Sequence, residues 1–246
     1  PFKAFARFRL DIEPFENEKE HLSASMRGQI LHWIMADFWN LIKDSGNLNK
    51  LNNLDKLDEI IKNIINRVLK FWQKKAPELL FDGVLNIERQ RLYLIVLAWV
   101  QVEMGREDSF SVINTEYKIQ GDIAGLPIVA RIDRVDQLIC GDKMILDYKT
   151  GLASTASWFS NRPGAMQMPI YALLNSDAKS ISFAQVQADV DKSCKYQGVS
   201  EKDLLVKGIK KVDEGVTKDP NCNTWGDLVS SWDEIAVNAV NNFKLG

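Results

Sequence analysis

The sequence predicts an α/β protein in which a central sheet is flanked by helices and preceded by an N-terminal helical region. Apolar residues recur at three- and four-residue spacings through the first hundred positions, the period changes to two after Gly105, and helical spacing returns in the last third. At 246 residues the chain suits one α/β domain with a sizeable insertion. We therefore expect a helical region over 1–105 that packs on a core over 106–246.

Taken in order, Ser23 and Ser25 are candidate N-caps for a first helix. Its apolar residues between Ile30 and Ile42 occupy more than one face, which predicts burial on much of its circumference. The stretch Asn47 to Asn53 is polar and predicts a break. Leu54, Leu57, Ile60, Ile61, Ile64, Ile65, Val68, Leu69 and Trp72 then recur at spacings of three and four, predicting a second amphipathic helix ending near Pro77. Asn86 is a candidate cap for a third, carrying Leu92, Ile95, Val96, Trp99 and Val100 and stopping around Gly105. Ser109 to Gln120, Leu126 to Leu138 and Lys143 to Lys149 alternate as strands, with Gly141-Asp142 as a two-residue hairpin turn between the last two, so the centre reads as an antiparallel meander. A helix over Gly164 to Asn175, a fourth strand over Ser180 to Ala188, a short helix over Glu201 to Lys210 and a terminal helix over Thr224 to Phe243 complete the order.

Composition narrows the function classes. With 46% hydrophobic and 26% charged residues the chain is neither disordered nor a disulfide scaffold. A net charge of −2 excludes a generic polyanion binder held by bulk charge, so any phosphate chemistry must be local. Three widely spaced cysteines, Cys140, Cys194 and Cys222, give neither a disulfide framework nor a metal knuckle and favour a reducing compartment. No apolar run approaches the ~18 residues of a membrane span. The chain begins at Pro1 rather than Met, and we expect it to be a segment of something longer.

The chemistry concentrates in the meander. Arg131-Ile132-Asp133-Arg134-Val135-Asp136 lies on one strand and Asp147-Tyr148-Lys149-Thr150-Gly151 ends the next. Alternation puts Asp147 and Lys149 on one face and Tyr148 on the other. A hairpin between these strands can bring Asp133 to Asp147, and two close carboxylates repel unless a cation lies between them. Oxygen ligands of this kind suit Mg²⁺ or Mn²⁺. These residues alone leave a second reading open, a surface hairpin with solvated charges and Asp147-Lys149 as a local pair.

The ordered motifs Ile132-Asp133-Arg134-Val135-Asp136, Ile145-Leu146-Asp147-Tyr148-Lys149-Thr150-Gly151 and Gln167-Met168-Pro169-Ile170-Tyr171 resemble the signature of the RecB-family nucleases, a branch of the PD-(D/E)XK superfamily that includes AddB-type subunits. Upstream, Arg27-Gly28-Gln29-Ile30-Leu31-His32 is similar to the family's glycine-histidine helix, and Glu116 matches the acidic residue on the preceding strand. The resemblance implies a restriction-endonuclease-like mixed sheet flanked by helices. It implies a Mg²⁺- or Mn²⁺-dependent deoxyribonuclease, by expectation an exonuclease acting in DNA repair. In it Asp133, Asp147, His32 and the backbone carbonyl of Tyr148 hold the metal. Lys149 is the catalytic lysine, Glu116 serves a second metal or a ligated water, and Gln167, Tyr171 and Arg134 steady the lysine or contact DNA.

The implied partners are DNA with single-stranded ends and a helicase-type domain or subunit, without a membrane, at a cytoplasmic, nucleoid-associated location. Some relatives carry four cysteines for an iron–sulfur cluster; Cys194 and Cys222 stand apart, so no cluster is expected. The alternative is a silent DNA-binding or scaffolding domain that keeps the fold, whose mark would be loss of Asp133, Asp147 or Lys149. Each residue also has a plain structural reading: His32 as a hydrogen-bonded core histidine, Glu116 as a solvent-facing strand residue, Tyr171 as core, Arg131 and Arg134 as strand-face charge, and the tryptophans as helix packing.

Overall fold

A computed structural model describes residues 22–159, 165–187, 194–217 and 222–245. Helices α1 (Ala24–Ile42), α2 (Ser45–Asn53), α3 (Leu57–Lys75) and α4 (Asp82–Met104) precede strands β1 (Phe110–Ile123), β2 (Leu126–Leu138) and β3 (Lys143–Lys149). A 3-10 turn (Thr155–Phe159), α5 (Gln167–Leu174), β4 (Ala178–Gln185), β5 (Lys195–Ser200), β6 (Ile209–Lys211), the one-turn α6 (Glu214–Thr217) and α7 (Trp225–Leu245) follow. The strands form one sheet in sequence order. It is mixed: β3 pairs with β4, and β5 with β6, in parallel, and the other pairs are antiparallel. β4, the parallel neighbour of β3, is thus reached by a crossover through α5, as a parallel pair requires.

Local chemistry explains the helical layer. Ser23 caps α1 by accepting from the Met26 N–H at 3.1 Å, while Ser25 lies inside the helix. The polar stretch expected to break the pattern is helical instead, because Asp44 caps α2 at the Asn47 N–H (2.7 Å) and Leu48 is buried in the core with Leu51 packed against it. In α3, Asp58 and Glu59 sit in the first turn and Lys74 and Lys75 in the last, complementing the helix dipole. α4 begins a turn earlier than expected, at Asp82, so Asn86 is internal and accepts from Arg89 rather than capping.

The second half departs further from expectation. The turn between β2 and β3 spans 139–142, with Gly141 at φ 89, so it is longer than a two-residue hairpin. The stretch Glu201 to Lys210 is not a helix. Its backbone turns at Gly208 (φ 96) and enters the sheet as β6, where Ile209 pairs with Gly198. A Cβ on Gly208 would lie 2.1 Å from the Tyr196 carbonyl oxygen, so only glycine permits this approach. β5 escaped the sequence reading too. The expected helix start at Gly164 and strand end at Ala188 lie outside the described residues.

Two apolar cores sandwich the sheet. On one face Ile34, Phe38, Trp39, Ile95 and Trp99 of the helical layer pack with Tyr148 and Tyr196. On the other, Met168 and Tyr171 of α5 and Trp225 and Trp232 of α7 pack with Ile132, Ile145 and Ile181. β3, buried on both faces, runs between the two layers and carries its polar end to the site described next.

Candidate active site

The β2–β3 ladder ends where Arg134 pairs with Leu146. Continued one step, that register sets Asp133 opposite Asp147, and the β1–β2 register (Thr115 with Arg134, Tyr117 with Ile132) sets Glu116 opposite Asp133. Three carboxylates therefore stand in a row across three adjacent strands. Past the last rung, the Tyr148 N–H donates to Asp133 Oδ2 at 2.8 Å, so a side chain replaces the neighbouring backbone as acceptor. Glu116 reaches the row through a left-handed backbone (φ 48), a conformation that costs a non-glycine residue about 1–3 kcal/mol and clusters at functional sites.

α1 closes the site from the helical layer. His32 Nδ1 lies 3.2 Å from Asp133 Oδ1, and Nε2 lies 3.0 Å from the Tyr148 carbonyl oxygen. Both ring nitrogens face acceptors, which the doubly protonated imidazolium satisfies. Burial opposes that charge, but the Asp133 bond and the fields of Asp133 and Asp147 outweigh it, and His32 is held above its usual pKa.

From the opposite layer α5 delivers Gln167. Its Oε1 accepts from Lys149 Nζ at 3.0 Å, and its Nε2 donates to Asp147 Oδ1 (2.7 Å) and approaches the Tyr171 hydroxyl (2.8 Å). The two residues share a helix face four apart, and the Tyr171 hydroxyl donates to the Arg131 carbonyl at 2.6 Å. Lys149 Nζ also lies 2.6 Å from Asp147 Oδ2 as an ion pair. Burial first, and then repulsion from Asp133, push the Asp147 carboxyl up to about 6. The same two causes raise Glu116, which Arg131 approaches at 3.3 Å.

The donor set fits a hard or borderline divalent cation. His32, Glu116 and Asp133 each offer a ligand atom, all within 4.8 Å of one another. Asp147, expected as a ligand, stands outside this tight group, with Gln167 on its Oδ1 and Lys149 on its Oδ2. The Tyr148 carbonyl, also expected as a ligand, faces His32.

Arg134 requires a correction. Expected at DNA or beside the lysine, it is fully buried beneath the sheet and cannot reach solvent. It pairs with Asp136 (Nε to Oδ1, 2.6 Å) and Glu103 (Nη1 to Oε1, 2.5 Å), and donates to the Tyr148 hydroxyl at 3.3 Å. Arg106 joins through Asp136 Oδ2 at 2.8 Å. The sequence reading missed Glu103 and Arg106. Their signal is present: Glu88, Leu92, Ile95, Trp99 and Glu103 follow one helical stripe, and an acid on a buried stripe demands a cationic partner.

No curated protein matches the chain. Residues 1–230 match the PD-(D/E)XK nuclease superfamily, whose nucleases use divalent metals. With the mixed sheet, the carboxylate row and the Asp-Tyr-Lys strand end in place, the chain belongs to the PD-(D/E)XK nuclease superfamily.

Proposed function

We propose that this chain is a Mg²⁺- or Mn²⁺-dependent DNA nuclease of RecB/AddB type that hydrolyses phosphodiesters exonucleolytically as a module of a larger DNA-repair protein. The observation that carries the reading is the convergence of His32, Glu116 and Asp133 beside the Lys149-Asp147-Gln167 cluster. His32, Glu116, Asp133 and Asp147, with the Tyr148 carbonyl, are the candidate metal ligands. A bound divalent cation supplies positive charge to the scissile phosphate and acidifies a coordinated water.

The remaining work falls to the chain. Lys149 Nζ, one-third exposed and fixed between Asp147 and Gln167, is placed to orient a water and to balance charge developing on the phosphate oxygens. Gln167 sets the lysine's direction, because its amide is oriented by contacts to Lys149, Asp147 and Tyr171 together. Tyr171, pushed up to about 12 by burial above all, stays neutral and serves as a strut between α5 and β2. His32 gives up its proton to become a ligand, so metal and proton compete for it. The products are a 5′-phosphate and a 3′-hydroxyl.

In this reading the helical region 1–105 carries the histidine and 106–246 the carboxylates and lysine, and a helicase-type domain or subunit presents single-stranded ends. Among the described residues no helix is long and apolar enough to cross a membrane. The deciding experiment incubates end-labelled linear DNA and circular single strands with the protein, with and without Mg²⁺ or Mn²⁺. Metal-dependent loss of the linear substrate with circles spared is the expected result. Cut circles overturn the exonuclease assignment, and DNA binding without any cleavage in either metal favours a silent binding domain.

A further inference from the structure

The buried stripe of α4 has a glutamate at each end, and the one far from Arg134 has a different surrounding. Glu88 is 1% exposed. Its Oε1 accepts from Arg27 Nε (2.9 Å) with Nη2 at 2.7 Å, and its Oε2 accepts from Arg91 Nε (2.7 Å) with Nη2 also at 2.7 Å. One buried carboxylate therefore holds two guanidinium groups, each by a single edge, and the trio keeps one net positive charge. Unlike Arg134, both arginines reach solvent, with side chains 44% and 26% exposed. A guanidinium bound along one edge keeps N–H donors on its other edge, in the fork that fits a phosphate.

We propose that Arg27 and Arg91, fixed by Glu88, form a seat for a DNA phosphate other than the scissile one. The inference rests on the nuclease reading above and adds to it a place for the strand. Arg27 precedes His32 by five residues on α1, a rise of about 7.5 Å along the helix axis, which places the seat within a few nucleotides of the candidate centre. Gly28 lies one turn before His32 on the same helix face, and a Cβ there would meet nothing within 4 Å, so the helix leaves open space between seat and site. The need for such a seat follows from charge. The chain carries −2 overall and its candidate centre is a row of carboxylates, so the strand must be held by cations set beside that row. Glu88 does what free lysines would not: it fixes both guanidinium planes before the phosphate arrives, which lowers the ordering cost of binding.

The test measures fluorescence anisotropy of a labelled single-stranded oligonucleotide in EDTA across a salt series, with wild-type protein, Arg91→Gln and Arg91→Lys. Arg91→Gln keeps Arg27 on Glu88, and we expect it to weaken binding about tenfold, equally for unrelated sequences, with the salt slope reduced by about one. Arg91→Lys keeps the charge without the fork and should restore the slope but only part of the affinity. Running each protein on 5′-phosphorylated and 5′-hydroxyl strands separates two sources of the same chemistry: a loss confined to the first assigns the seat to a chain end, an equal loss to an internal phosphodiester. Melting curves and Mn²⁺-dependent cleavage are read on the same samples. Unchanged affinity and slope in a folded Arg91→Gln protein overturn the seat while leaving the nuclease reading intact if the wild type cuts DNA. A wild type that neither binds nor cuts DNA overturns both.

Discussion

On the helical-layer side of Tyr148, Glu103 and Asp136 are matched by Arg106 and Arg134, whereas around its backbone Glu116, Asp133 and Asp147 face Lys149, the exposed Arg131 beside Glu116 and, when protonated, His32. Both groups are charge-rich and largely buried, but the first is closed. Its two acids equal its two bases, the guanidinium groups of Arg134 and Arg106 lie 3.9 Å from the Trp39 and Phe110 ring centroids, and the Arg106 Nε alone lacks a partner. The second balances its three carboxylates only with His32 protonated and with Arg131, whose side chain is 67% exposed to solvent. Burial opposes the charge on both arginines of the closed group, but the anions around them outweigh it and hold both far above any working pH, so its charges are fixed. In the open group three residues are shifted toward holding protons. One fold thus contains a salt-bridge network that needs nothing further and a cluster whose balance depends on a titratable histidine and a solvent-exposed arginine.

The largest expected effect separates the two in function. Asp147→Asn should lower metal-dependent cleavage by about 10³-fold or more, equivalent to at least about 4 kcal/mol of barrier, while its metal-free melting temperature holds or rises because a repelling charge has gone. Wild-type cleavage in that variant would remove Asp147 from the site. The closed group should respond with the opposite sign in stability. Arg134→Met leaves Glu103 and Asp136 buried without their main partner and should cost about 3–5 kcal/mol by denaturant melts, with the molecules that remain folded still able to cut. A variant as stable as wild type would show that the network is not closed.

How far the sequence foretold each group follows from where its partners lie. The meander, and with it the meeting of Asp133 and Asp147, was legible because strand alternation and a short connection fix register locally. Gln167 and Tyr171 were legible as a pair through their spacing of four. Arg134 was misread because its counter-charges come from Asp136 and from Glu103 of another layer, and nothing in strand periodicity tells a buried arginine from an exposed one. The helix expected over Glu201 to Lys210 failed for a related reason: the edge of β5 and the close approach at Gly208 are tertiary facts that override weak local preference. The tight group of His32, Glu116 and Asp133 needed the α1–sheet docking, which no spacing encodes.

The comparison sharpens with pH. His32, Glu116 and Asp147 all have folded pKa values above their unfolded ones, so the metal-free folded state binds more protons than the unfolded chain. Their contribution is fully present below the unfolded values and is lost as pH rises, for Asp147 between 3.8 and about 6 and for His32 above 6.5. We expect metal-free stability to fall by about 1–3 kcal/mol across that range, and Mn²⁺ to restore more of it at the upper end, where its ligands are already deprotonated. Thermal melts of wild type and Asp147→Asn at several pH values check this, since the variant should lose the lower part of the dependence. A flat metal-free profile would contradict the shared proton affinity of the open group.

The smallest effect concerns the backbone that only the open group distorts. Glu116 is held at φ 48 in the middle of a strand, and its carboxylate is disfavoured by burial and by Asp133. Two substitutions divide these causes. Glu116→Gln removes the charge and keeps the strained backbone; Glu116→Gly removes the charge and relieves the strain, against the greater freedom glycine has when unfolded. Metal-free stability should therefore rise in both, with glycine ahead of glutamine by about 0.5–1 kcal/mol, while Mn²⁺ affinity by calorimetry falls in both to a similar extent. If the two variants are equally stable, the left-handed turn at Glu116 carries no cost and needs no function to maintain it. If glycine leads and Mn²⁺ affinity drops, the strand holds a strained residue in order to place a ligand, a distortion with no counterpart among the paired charges beneath Tyr148.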